Sequence, residues 1–193
     1  MSQYYVPVLS DAKGRKKTIY DVYAQFNVYC DWDTMPCLNL AKKIYKRPKR
    51  LVWVGDYVSN KDIDDQFMKN HHIPDNVMSF KPQSIWKKEK APLGNIPQIS
   101  LNGKFFANHD TKEFINIDEF RRVCGSKTQD GEWVPSPLCL LMAVGNDVGT
   151  ESDYHNENAD KVGVWAWNLV SVEDEPPKSY EKLTDLWFRG SCA

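Results

Sequence analysis

The segment "NHDTK" places an amide, an imidazole, a carboxylate and an ammonium, Asn108, His109, Asp110 and Lys112, within five residues. Asn and Asp suit a hairpin tip, because their side chains bond the nearby backbone and tolerate left-handed torsions. Turn chemistry does not account for His109. An imidazole titrates near neutrality and can act as acid, base or donor to a phosphate. Lys112 would stabilise an anion beside it.

A second concentration of chemistry lies in "AVGNDVGTESDYHNENADKVGVW", from Ala143 to Trp165. Asp147, Glu151, Asp153 and His155 could hold a divalent cation through oxygen and imidazole ligands. Asp153 and His155 are two residues apart, so in an extended segment both point to one face. The calcium-loop pattern of an EF-hand is absent. The alternative is a solvated connection that keeps its charges in water, and no cofactor is the main expectation. If the 108–112 tip meets this loop, His109, Asp153 and His155 converge as a catalytic group. Asp56, just past the strand-like "VWVG", Asn146 in the Gly145-Asn146 turn and Trp165 would add to a ligand-binding rim with Asn108 and Lys112.

Lys42, Lys43, Lys46, Arg47, Lys49 and Arg50 form the densest basic run. They could contact phosphates. They also fit the solvated face and cationic C-terminus of a helix, which the helix dipole favours. No RNA- or DNA-binding signature accompanies them. Phosphate-loop, dinucleotide, zinc-protease and serine-hydrolase motifs are absent too. His71 and His72 are adjacent and diverge, which makes a poor metal pair. Five cysteines with no CxxC pair read as reduced thiols.

These groups need elements to position them. "YYVPVL" predicts a strand, and "TIYDVYAQFNVYCDW" one or two more. Cys37, Leu40, Ala41, Ile44 and Tyr45 fall on one helical face, with Asn39, Lys42, Lys43 and Lys46 opposite. Pro36 suits the first turn and Pro48 stops the helix. "RLVWVGDY" predicts a buried strand. "GKFFANHDTKEFINI" predicts a hairpin with its tip at 108–111, followed by a short helix "DEFRRVCG" capped by Asp118. "KTQDGEWVPSP" predicts a turn-rich link. "LCLLMAV" predicts a strand buried on both faces, with "VGVWAWNLVSVE" a long strand carrying Trp165 and Trp167 on one side. "DEPPKSYEKLTDLWF" predicts a turn and then a short helix. Residues 59–100, rich in proline, predict an irregular insertion or flap. The expected fold is α+β: a strand-rich single domain over 1–193, with an antiparallel or mixed sheet and two to three short helices.

The segments "KRLVWVGDY", "FFANHDTKEFI", "PSPLCLLMAVGN", "SDYH" and "VGVWAWNLVSVEDE" resemble a loose family of small bacterial and mobile-element proteins. That family has W-x-G-D-Y, N-H-x-K, G-N…D-Y and G-x-W segments in the same order. The resemblance implies that Asp56, Tyr57, Asn108, His109, Asn146, Asp153 and Tyr154 belong together. It supplies no catalytic residues.

A formal charge of −1 on 193 residues excludes a broadly basic nucleic-acid binder. No stretch approaches the roughly 20 apolar residues that span a bilayer, and no signal-peptide core opens the chain, so a cytoplasmic protein is expected. The leading expectation is a binding protein for a small polar ligand or a protein partner. A phage or mobile-element product acting on host machinery fits this form. The alternatives are a hydrolase or transferase on a phosphorylated or nucleotide-like substrate, with His109 and Asp153 as its acid–base pair, and nucleic-acid binding through residues 42–50.

Overall fold

Leu51, Val52, Trp53 and Val54 are all fully buried, so successive side chains on both faces of this strand are covered. It is the sheet's interior, as an apolar run without polar alternation requires. The computed structural model describes residues 3–15, 17–19, 24–26, 35–55, 99–124, 126–128, 131–133, 136–144 and 161–184. In chain order the strands are β1 (Gln3–Ser10), β2 (Lys17–Ile19), β3 (Ala24–Phe26), β4 (Lys49–Gly55), β5 (Phe105–Asn108), β6 (Glu113–Asn116), β7 (Ser126–Thr128), β8 (Gly131–Trp133), β9 (Ala143–Val144), β10 (Leu169–Glu173) and β11 (Glu181–Lys182). The helices are α1 (Met35–Ile44), α2 (Ile117–Cys124) and the short α3 (Pro137–Leu140).

One mixed sheet runs β11-β6-β5-β10-β4-β1-β2, with β3 also on β1 and β9 also on β4. The β11–β6 and β9–β4 pairs are parallel, and the other pairs are antiparallel. The fold is therefore α+β and strand-rich, as the sequence predicts. No helix among the described residues is long and apolar enough to cross a membrane.

Helix α1 lies on one face of the sheet. Cys37, Leu40, Ala41 and Ile44 join Leu9, Leu51, Trp53, Phe106, Ile115, Val170 and Val172 in the core. Asn39, expected on the outer face, is buried too at 8% exposure. The helix ends where Lys46 turns left-handed (φ 52°) and gives its N–H to Val172 O, two residues before Pro48.

Four sequence expectations need correction. "LCLLMAV" is not one strand. Pro137 opens a helical turn, closed by Leu141 N–H on Pro137 O, and only Ala143–Val144 pair with β4. "VGVWAWNLVSVE" is a strand only from Leu169. Before it, Val164, Ala166 and Asn168 each bond the carbonyl three residues back, and Gly163 (φ 79°) and Trp167 (φ 63°) are left-handed. This coiled segment still buries Trp165 and Trp167 at 1% and 3% exposure, because compact turns can aim both indoles inward. Residues 181–182 form the edge strand β11 rather than a helix, held by Glu181 N–H on Lys112 O and Leu183 N–H on Phe114 O. The turn-rich link expected at 127–137 holds most of the β7–β8 hairpin, which pairs Ser126–Thr128 with Gly131–Trp133.

The cap of α2 also differs. Asn116 Oδ1 accepts Glu119 N–H at 3.0 Å, which makes Asn116 the N-cap. The Asp118 carboxylate instead accepts Gly103 N–H at 2.7 Å and pins the turn ahead of β5. Most of the expected insertion at 59–100 lies outside the described residues.

Candidate functional site

The β5–β6 tip is built from its own sequence. Asn108 Oδ1 accepts the N–H groups of Asp110 and Thr111, at 3.0 and 3.2 Å, which folds the chain back. His109 N–H bonds Leu169 O, so the ladder to β10 continues one residue past β5. Lys112 then takes a left-handed conformation (φ 62°) and presents its carbonyl to Glu181. That bond aligns the chain after Tyr180 beside β6. A turn closed by Tyr180 N–H on Pro177 O brings the Tyr180 ring against the tip.

The outcome is a continuous hydrogen-bonded line across the end of the sheet. Lys112 Nζ lies 3.2 Å from Tyr180 Oη and 5.0 Å from the centre of its ring. Tyr180 Oη lies 2.9 Å from His109 Nδ1, and the two rings meet edge to face. His109 Nε2 lies 2.7 Å from Ser171 Oγ, and Ser171 Oγ donates to Glu173 Oε1. Ser171 and Glu173 are two apart on β10 and share a face.

The line assigns its own protons. Ser171 gives its hydrogen to Glu173, so it must accept from His109, and Nε2 carries the imidazole hydrogen. Nδ1 then accepts from Tyr180, and the Tyr180 oxygen accepts from Lys112. Burial holds the His109 imidazole below its ordinary pKa. The Glu173 carboxylate opposes this, the Lys112 charge adds to it, and Asp110 opposes it again. A neutral ring fits the assignment.

This geometry restricts the chemistry available. Ser171 is fully buried and its proton is committed to Glu173, so it is not placed as a nucleophile for His109 to activate. Both His109 nitrogens are occupied. The solvent-facing end of the line is Lys112 and Tyr180.

Two ion clusters brace the site. Arg50 Nη1 donates to Asp110 Oδ2 at 2.8 Å and to Trp167 O at 3.0 Å, while Nε reaches Ala12 O at 3.1 Å. Asp110 also accepts Leu169 N–H. At the other end of β10, Asp174 accepts from Tyr45 Oη, Lys104 Nζ and Lys46 Nζ. The bonds from Lys104, Lys46 and Tyr45 hold its carboxyl well below the usual range. Lys46 and Arg50 of the basic run are thus bound to internal carboxylates.

The tip brings together Asn108, His109 and Lys112 of the expected site. Asn108 is fully buried and serves the turn. Trp165 is in the core, its ring 5.4 Å from Phe106 and its indole N–H on Glu113 Oε2 at 3.0 Å. Asp56, Tyr57, Asn146, Asp147, Glu151, Asp153, Tyr154 and His155 lie outside the described residues. Among the described residues, no group of three or more His, Cys, Asp or Glu is arranged to hold a metal ion. Sequence reasoning missed Tyr180, Ser171 and Glu173. The S-x-E alternation on a strand was the available signal for the last two. The sequence places Tyr180 in a short helix, whereas residues 181–182 directly after it are strand β11. No family model, curated protein or solved structure matches this chain.

Proposed function

We propose that the chain is a cytoplasmic binding protein for a small polar ligand bearing an oxyanion, gripped at the Asn108–Lys112 tip. The observation that carries this reading is the state of Lys112. Its ammonium rests on a neutral hydroxyl and an aromatic ring, with no carboxylate partner among the described residues. Lys46, Arg50, Lys104 and Lys182 each pair with a carboxylate. Unlike Lys13, Lys49 and Lys178, which also lack one among the described residues, Lys112 is held in place by a hydroxyl and a ring. A lysine without a counter-ion, beside a hydroxyl donor, fits a phosphate or carboxylate group. Its left-handed backbone adds weight, since strain at a non-glycine residue concentrates at functional sites.

Native mass spectrometry of the purified protein, beside its denatured mass, tests the reading. Extra native mass that Lys112→Ala loses supports it. A bare native mass, together with no saturable response to inorganic phosphate, removes it.

A second reading takes support from the line between Lys112 and Glu173. A hydrolase or transferase on a phosphorylated or nucleotide-like substrate would use Tyr180 as the group facing the substrate, with His109 behind it as the proton store. Full turnover in His109→Ala would remove this version.

A further inference from the structure

The Tyr180 hydroxyl has one proton to donate. In the free protein that proton goes to His109 Nδ1, while the oxygen accepts from Lys112. An oxyanion drawn to the Lys112 ammonium arrives beside the same hydroxyl. Tyr180 cannot serve both acceptors. If its proton turns to the anion, a neutral His109 is left with a half-buried nitrogen lone pair facing an oxygen lone pair, a costly arrangement.

We propose that oxyanion binding at Lys112 and Tyr180 is coupled to protonation of His109. Tyr180 donates to the bound anion. His109 takes one proton from solvent at Nδ1 and donates it to the Tyr180 oxygen. Nε2–H stays on Ser171 and Ser171 stays on Glu173, so the remainder of the line keeps its direction. No bond in the ligand changes, and one proton is taken up for each anion bound. This inference rests on the reading of the tip as an anion site.

The charges around the ring favour the exchange. From β10, Glu173 faces His109 through Ser171. The tip contributes Asp110 and Lys112, and the segment ahead of β11 contributes Tyr180. Glu173 and Asp110 favour the imidazolium. Burial and the Lys112 charge oppose it. A bound anion offsets Lys112 and so weakens one of the two opponents. By linkage, a ligand that raises the His109 pKa must itself bind more tightly as pH falls.

Sulfate is the probe, because its charge stays constant over the histidine range of about pH 5 to 8. The His109 ring is followed by NMR through a pH titration of the full chain, with and without sulfate. Saturating sulfate is expected to raise the His109 pKa by about one unit, matched by about tenfold tighter sulfate binding at low pH. His109→Gln should bind sulfate with no such pH dependence, and Tyr180→Phe should bind it with a smaller histidine shift. If sulfate perturbs the Lys112 amide saturably but leaves the His109 pKa in place, the coupling is overturned and the anion site stands. With no saturable change at Lys112, the anion site falls and the coupling with it.

Discussion

Arg50 and Asp110 are 60 residues apart in sequence, yet guanidinium and carboxylate meet at 2.8 Å. The contact joins β4 to the tip that carries His109. The same guanidinium reaches the backbone carbonyls of Trp167 and Ala12, so one side chain ties together the tip, the turn after β1 and the coiled segment before β10. The Arg50 side chain is 25% exposed, and its partners lose a charged donor if it is removed.

Arg50→Ala should therefore destabilise the fold by about 2 kcal/mol, within the range for hydrogen bonds to charged groups. Arg50→Lys should recover less than half of this, because an ammonium cannot reproduce the fork that spans three partners. Urea unfolding of both variants measures it. A loss below about 0.5 kcal/mol in Arg50→Ala would make the contact an ordinary surface pair.

Asn116 and Asp118 give a second contrast. Asn116→Ala removes the cap on Glu119 N–H and should cost about 1 kcal/mol. Asp118→Ala leaves that cap intact and frees only Gly103 N–H, so its effect should fall on the turn ahead of β5. Hydrogen exchange separates the two. Faster exchange at Glu119 should follow the first substitution and not the second.

Much of this architecture was legible in the sequence, because it follows from local rules. The α1 stripe, the β4 interior run and the tip at 108–111 each follow from periodicity or turn chemistry. What was not legible depends on contacts distant in sequence. "VGVWAWNLVSVE" carries strand propensity throughout, yet left-handed Gly163 and Trp167 coil its first half so that Leu141 O and Leu51 O receive the Trp165 and Trp167 N–H groups. The Asn116 cap is visible as N-x-x-E, with Glu119 at the third helical position, whereas Asp118 lies two residues further along, inside the first turn. Tyr180 could not be placed without knowing that its chain pairs with β6. Its meeting with His109 spans 71 residues.

Stability should fall at two well-separated points as the solution is acidified. His109 has a folded-state pKa below its unfolded value, so its neutral form is favoured by folding. Its contribution is full above about pH 6.5 and is lost as pH falls from there towards the folded value. Asp174 is also depressed, through its bonds from Lys104, Lys46 and Tyr45. Its contribution is full above about pH 4 and is lost only as pH falls below that. Urea unfolding across this range should show both losses. His109→Gln should erase the upper one alone, and Asp174→Asn the lower one alone. An upper loss that persists in His109→Gln would assign it to another group.

Lys112 separates stability from binding most sharply. Its φ of 62° is a conformation that an L side chain occupies at a cost and glycine adopts freely. Lys112→Gly should therefore stabilise the fold by about 1 kcal/mol, the backbone relief outweighing glycine's extra freedom in the unfolded chain. The same substitution removes the ammonium from Tyr180 and should abolish anion binding. Lys112→Ala keeps the strain and loses the charge, so it should lose binding without gaining stability. A residue retained only for its turn would show no binding loss in either variant. A strained lysine retained for its charge predicts that the more stable protein is the one that no longer binds. Thermal unfolding of the three proteins, read beside their response to sulfate, distinguishes these cases.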